Sequence, residues 1–280
     1  MCVTALGSEI IIIVIICVMF WAVDKKYAYR LGFIYFVSGM AVQTLKVTCR
    51  IPRPWVRNPS LTPVEEAVDG ATGYSFPSGH TQNASALYGQ AAWMAKRKWV
   101  KTVFVAVILA VMFSRMYLGV HTPADVCAAF AITIGVLVAV NILVEKKIIY
   151  RFRRETCFCA ALVLCAALLI LGIYLVWSGT ADTENAADFF KACGAAIGFC
   201  TGWYLESTQL DFDERAGSLW AQILKCVIGL ALALAIKEGF KLLIGTSLAA
   251  DFARYAILVF FVIYIYPFIF SKTIKRDKNA

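Results

Sequence analysis

Apolar residues fall along this chain in long blocks separated by short polar connections. Nine blocks stand out, at about 8–23, 31–48, 78–95, 100–120, 123–144, 157–177, 186–206, 217–243 and 252–271. Several reach the ~20 residues that an α-helix needs to cross a bilayer. The pattern therefore predicts an all-α fold, a polytopic transmembrane helical bundle of about nine spans. No solenoid repeat or low-complexity segment interrupts it. The longest polar stretch, residues 49–76, holds Pro52, Pro54, Pro59 and Pro63, with Pro77 at its edge, so it reads as loop rather than helix.

Composition agrees with the pattern. Of 280 residues, 61% are hydrophobic and 16% charged, and the mean hydropathy is +0.73. A soluble domain of this size needs far more polar surface. The net charge of +9 invites a nucleic-acid reading, but the cations cluster between apolar blocks instead of forming a stripe with interleaved aromatics. The positive-inside rule accounts for them, and no nucleic-acid partner is expected. Of ten cysteines, Cys17, Cys127, Cys165, Cys193, Cys200 and Cys226 fall inside apolar blocks, where they read as small packing residues. Cys157 and Cys159 form a lone C-x-C without a second pair at zinc spacing, so no metal site is expected from them. The first block resembles a signal peptide but has neither a basic segment before it nor a small-residue cleavage site after it, and reads as a retained span.

Charge also orients the chain. Lys25, Lys26 and Arg30 share a side with Lys96, Arg97, Lys98 and Lys101, then with Lys146, Lys147, Arg151, Arg153 and Arg154, and finally with Lys272, Lys275, Arg276 and Lys278. The rule places these in the cytoplasm, with the N-terminus outside and the C-terminus inside. The connection from Glu206 to Ser218, acidic and on the same side, dissents but carries little weight. On the opposite side, Ser178–Asp188 has no Lys or Arg, as expected. Two outer features break the rule: Lys46, Arg50, Arg53 and Arg57 cluster in or beside the long loop, and Arg115 sits near the outer end of a span. An arginine within a span costs at least ~2.5–3.5 kcal/mol and is by default a functional hypothesis. An anion at this face explains both.

The chain's two histidines, His80 and His121, sit at the same face. In Pro77–Ser78–Gly79–His80, Ser78 is a candidate helix N-cap. The free N–H groups after it, Gly79 included, can bind phosphate oxygens with help from the helix dipole. Gly79, lacking a side chain, allows close approach. In His121–Thr122–Pro123–Ala124–Asp125, Thr122 is a candidate N-cap and Pro123 suits the first helical position. Asp125 has two readings: the acid of a capping box, or the carboxylate that fixes the His121 tautomer and frees its other nitrogen to attack. Lys46, Arg53 and Arg115 are the cations assigned to phosphate, guanidinium forks matching its oxygens in pairs. Arg50 and Arg57 read as peripheral.

Lys46-x6-Arg53-Pro54, then Pro77-Ser78-Gly79-His80, then Ser114-Arg115-x5-His121-x3-Asp125 together resemble the tripartite signature of the type 2 phosphatidic acid phosphatase superfamily. The resemblance implies that His121 is the nucleophile, forming a phosphohistidine and oriented by Asp125, and that His80 is the acid that protonates the leaving oxygen. It implies a phosphate cradle of Lys46, Arg53, Ser78, Gly79 and Arg115, with no metal ion and no cofactor. It also implies a six-helix phosphatase core over 1–178, with the signature in 46–125 and three further spans in 179–280. The nine-span layout is similar to that of sphingosine-phosphate and glucose-6-phosphate phosphatases of the same superfamily. In those last spans Gly194, Gly198 and Gly202 recur every four residues, a smooth stripe for close helix packing. Glu206 is left without a role.

The expected activity is hydrolysis of lipid phosphate monoesters or diphosphates at the extracytoplasmic face, with membrane lipids as partners and a lipid phosphate as substrate. Trp55, Tyr74 and Phe76 flank the site, either to contact substrate or to sit at the interface. The membrane reads as a bacterial inner membrane, with the ER or another endomembrane as the alternative. A transporter or anion-binding protein without phosphatase activity would suit the cations but gives no reason for His121 followed by Asp125. Hydrolysis of a soluble phosphate ester is a lesser alternative. A haloperoxidase is a third, disfavoured by the nine spans.

Overall fold

The computed structural model describes residues 2–68 and 70–273, and every regular element among them is helical. In chain order these are α1 (Cys2–Ala5), α2 (Glu9–Val18), α3 (Lys25–Cys49), α4 (Pro54–Arg57), α5 (Glu65–Val68), α6 (Gly79–Met94), α7 (Lys98–Tyr117), α8 (Pro123–Glu145), α9 (Arg154–Trp177), α10 (Thr183–Leu205), α11 (Leu219–Ile244), α12 (Leu248–Phe260) and α13 (Tyr266–Thr273). Wider π-helical turns follow α2 and α10 and join α12 to α13. A helix lies at each of the nine apolar blocks. By length and composition, six cross the requirement for a membrane span: α3, α7, α8, α9, α11 and the continuous α12–α13. The α2 segment is shorter, α6 has 16 residues, and α10 carries Glu184, Asp188 and Lys191 in its first half. Of the cations in the C-terminal tail, Lys275, Arg276 and Lys278 lie outside the described residues.

The ends of these helices follow from local chemistry. Ser78 caps α6, its Oγ accepting from Thr81 N at 3.4 Å. Thr122 and Asp125 form a full capping box on α8, with Pro123 at the first position. Ser218 and Ser247 cap α11 and α12 in the same way. Both candidate caps at the site are thus real caps.

The chain divides into two compact units, each drawing on segments before and after residue 178. The first takes the residues up to Ile13, Leu31–Ile148 and Leu171–Phe189. Its central helix is α6, which packs on α7 and α8. Gly89 makes that closeness possible, because a Cβ there would lie 2.8 Å from Leu137 Cδ1. The buried face of α6 is polar: Gln82 Nε2 donates to Ser38 Oγ at 2.8 Å and to Tyr35 O at 3.2 Å. Gln90 and Asn141 exchange amide bonds at 3.3 and 2.7 Å. Such paired amides hold helices together where apolar contact with lipid would give no preference. They also explain why α6 is less apolar than its neighbours: protein covers it, not lipid.

The second unit takes Val14–Arg30, Ile149–Ile170 and the residues from Phe190 on. Here the glycine stripe of α10 meets backbone. A Cβ on Gly194 would lie 2.1 Å from Phe252 O, on Gly198 2.4 Å from Ala256 O, and on Gly202 2.8 Å from Ile263 Cβ. The stripe is a packing surface, as its spacing suggested. Glu206, fully buried, also finds its place. Lys25 Nζ bonds its Oε1 at 2.9 Å, Phe212 N donates to the same atom at 3.2 Å, and Tyr29 Oη donates to Oε2. Lys25 Nζ reaches Asp211 Oδ1 at 2.9 Å and Phe212 O at 2.7 Å as well. A buried carboxylate requires this many donors. All ten cysteines are free; Cys17, Cys165, Cys193 and Cys200 are packed inside, whereas Cys127 faces outward from α8.

Candidate active site

Every residue assigned to the site from sequence belongs to the first unit. Lys46 stands in the last turn of α3 and is buried. The chain then runs without helix to Arg53, which precedes Pro54 at the head of α4. Arg115 occupies the last turn of α7, His121 the turn between α7 and α8, and Ser78, Gly79 and His80 the entry to α6. The two turns are stitched together, since Ser78 N donates to Asp125 O at 3.1 Å.

Arg53 is the hub. Its Nη1 donates to His121 Nε2 at 3.0 Å and to Val120 O at 3.1 Å. Its Nη2 donates to Thr72 O at 2.6 Å and its Nε to Gly73 O at 3.1 Å. Because a guanidinium only donates, Nε2 of His121 is an acceptor here, and the proton belongs on Nδ1. That nitrogen faces Asp125 Oδ2 at 3.4 Å. The separation is long for a hydrogen bond, and Nδ1 has no shorter partner. The same oxygen is held more tightly by Ser75 Oγ and Thr122 N, each at 2.7 Å. The capping-box reading of Asp125 is met; the same carboxylate stands beside the imidazole at 3.4 Å without a hydrogen bond to it.

Lys46 Nζ donates to Tyr74 O at 2.5 Å. Arg115 Nη1 donates to Thr4 Oγ1 at 2.8 Å, while its Nε is buried without a hydrogen-bond partner among the described residues. Lys46, Arg53 and Arg115 all lie close enough to both His80 and His121 to act on their charge. Burial pushes the His121 imidazole down to about 3, the contact with Asp125 opposing and the three cations reinforcing the shift. It is neutral at physiological pH. Space is open at Gly79, where an added Cβ would meet nothing within 4 Å. Near-complete burial, three cations and a neutral imidazole with a usable lone pair suit capture of a phosphate group and attack on its phosphorus.

Sequence reasoning did not single out Thr4, Thr72, Gly73 and Ser75, nor the carbonyls that aim the cations. Ser75 is buried and bonds Asp125, yet a lone serine two residues before Pro77 carries no signal of that role. The N-terminal turn was equally silent, although Gly7 packs on it closely enough that a Cβ would lie 2.8 Å from His80 O. Arg57 is exposed and Arg50 half-buried, outside the network just described. Tyr74 turns its hydroxyl to Asp182 Oδ2 at 3.1 Å.

Residues 27–149 match the PAP2 superfamily, and residues 190–278 match the transmembrane extension of PAP2 superfamily phosphatases. The chain is 27% identical over 259 residues to sphingosine-1-phosphate phosphatase 1 of Rattus norvegicus, covering 85% of this chain and 58% of that protein. It is 26% identical over 201 residues to sphingosine-1-phosphate phosphatase 2 of Homo sapiens, covering 70% and 41%. Over 91 residues it is 34% identical to phosphatidylglycerophosphatase B of Bacillus subtilis, covering 29% and 44%. The chain thus spans a little over half the length of the longer-matching relatives. No solved structure matches it. Two family segments in order, one of them spanning the three signature motifs, make this chain a member of the PAP2 superfamily carrying its transmembrane extension.

Proposed function

We propose that the protein is a membrane phosphatase that cleaves lipid phosphate esters through a phosphohistidine on His121. The observation that carries this reading is the position of the His121 ring, with Nε2 3.0 Å from Arg53 Nη1 and Nδ1 3.4 Å from Asp125 Oδ2. Phosphate entering the cradle takes the donors of Arg53, Lys46 and Arg115, with the N–H groups at Gly79. The Nε2 lone pair then faces phosphorus. As the P–O bond to the alcohol breaks, His80, protonated once the bound phosphate has offset the burial and the three cations that otherwise keep it neutral, gives its proton to the leaving oxygen. The neutral His80 then takes a proton from the water that attacks the phosphohistidine and releases inorganic phosphate. Asp125 steadies the imidazole as it becomes cationic. The charge of the transferring group is met by fixed cations, so the reading requires no metal ion.

The names of the relatives, a sphingosine phosphate phosphatase and a phosphatidylglycerol phosphate phosphatase, favour a lipid phosphate monoester over a diphosphate or a soluble ester. The domain reading keeps a phosphatase core in 1–178 and an extension in 179–280. The positive-inside pattern favours a site on the extracytoplasmic face.

Phosphate release from a panel of lipid phosphates, by purified protein in detergent, tests the assignment. Activity should survive chelator and be inhibited by vanadate. His121→Ala should lose at least about a thousandfold in kcat/KM. Retained turnover in that variant removes the nucleophile, and loss of activity on chelation removes the metal-free mechanism. An anion-binding protein would bind phosphate and hydrolyse none of the panel.

A further inference from the structure

Long cationic side chains do not aim themselves. Each pays rotamer freedom to stand in one place, and something must hold it there. Arg53 is held by the carbonyls of Thr72, Gly73 and Val120, and Lys46 by the carbonyl of Tyr74. Three of these four acceptors are consecutive residues in a segment without regular secondary structure. A loop with no ladder of its own is only as fixed as its side-chain bonds make it.

Two of those bonds come from the head of α10, outside the three signature motifs. Thr72 Oγ1 donates to Asp188 Oδ2 at 2.6 Å. Tyr74 Oη donates to Asp182 Oδ2 at 3.1 Å and accepts from Asp182 N at 3.2 Å. Between them Gly73, at φ +64°, lies so close to the helix that a Cβ would be 3.2 Å from Asn185 O. The pattern is paired: Asp188 to Thr72 to Arg53, and Asp182 to Tyr74 to Lys46.

We propose that the head of α10 is the outer brace of the phosphate cradle, Asp188 and Asp182 acting as positioning residues for Arg53 and Lys46 through the Thr72–Tyr74 segment. The inference rests on the phosphatase reading for its chemistry, and it extends the working site to a helix that leads into the extension. Asp188 also lies within electrostatic reach of both cations, so it offsets their mutual repulsion. The competing explanation is that the two acids only favour the N-terminus of α10, where negative charge is stabilising. That role would leave phosphate binding untouched by changes at Thr72 or Tyr74.

The test uses the full chain in detergent and begins with substitutions that spare α10. Thr72→Val and Tyr74→Phe each remove one hydroxyl and keep the shape. Each should raise KM and the inhibition constant of inorganic phosphate about five- to tenfold, the scale of one ordinary hydrogen bond felt through the segment it holds, with kcat changing less. Thr72→Ser should restore the parent values. Asp188→Ala removes the same bond together with a charge, so it should be at least as poor as Thr72→Val, and the double variant should be no worse than Asp188→Ala alone. The brace is overturned if Thr72→Val and Tyr74→Phe stay within twofold of the parent. It is overturned equally if Thr72→Ser is as poor as Thr72→Val, or if the Thr72 and Asp188 effects multiply. Phosphate affinity measured by calorimetry needs no turnover, so a parent that hydrolyses nothing would sink the phosphatase reading while the brace is still decided.

Discussion

A single carboxylate oxygen, Asp125 Oδ2, serves three neighbours: Ser75 Oγ, Thr122 N and, at greater distance, His121 Nδ1. Ser75→Ala would remove one of the two short bonds that fix it, leaving the imidazole less well oriented. Its kcat should fall by about tenfold with KM little changed, consistent with loss of one hydrogen bond to a charged group; an unchanged kcat would make Ser75 a mere packing residue. The His121 ring itself should stay neutral far into acid. With its folded-state value near 3 and an ordinary value of 6.5, the unfolded chain binds the proton first. Stability from this group is therefore present above pH 6.5 and lost as pH falls toward 3. Nitrogen-15 spectra of a His80→Gln variant, which has one histidine, would report the ring directly; a midpoint above pH 5 would contradict the burial argument. Arg115→Lys should cost about a hundredfold in kcat, the scale of a lost preorganised donor, because a lysine cannot both reach Thr4 and fork onto phosphate. The charged and imidazole groups of the site were legible in the sequence because their chemistry demands those residue types, and a cation in a membrane span is anomalous in any context. Thr4, Thr72 and Ser75 were not, since a hydroxyl becomes meaningful only when the fold brings an acceptor to it.

At the scale of elements, helix ends and the glycine stripe could be read from local rules: Ser78, Thr122 and Pro123 cap what they were expected to cap. The stripe's spacing gave the packing face of α10 but not its partner, which is the backbone of α12 at Phe252 and Ala256 and the Ile263 side chain just beyond it. Gly198→Leu should drive a side chain into Ala256 O and lower the thermal midpoint, at a cost of about 1–3 kcal/mol or more. Gly239→Ala, where a Cβ meets nothing within 4 Å, is the matched control and should be neutral or slightly stabilising. Glu206 was opaque because its partners, Lys25 and Tyr29, lie about 180 residues away in sequence. Glu206→Ala should destabilise by roughly 3–5 kcal/mol, the usual penalty for breaking a buried ion pair, and a thermal melt comparing it with Glu206→Gln would separate charge from hydrogen bonding.

At the scale of the whole molecule, the all-helical membrane architecture was legible because hydrophobic block length is set by bilayer thickness rather than by tertiary detail. The same criterion passes six of the nine blocks. α6 falls short for a physical reason: it carries Gln82, Ser85 and Gln90 buried against protein, so its sequence records its neighbours and not lipid. That has a bearing on how the chain is made. A 16-residue helix with two buried glutamines gains little by partitioning into lipid by itself; Gln82 finds its acceptors on α3, made before it, but Gln90 finds its partner only once α8 has arrived. During synthesis the Gln90 amide would meet its partner only once residues past Asn141 have emerged, so the face bearing His80 would be closed late, with the helices that shelter it.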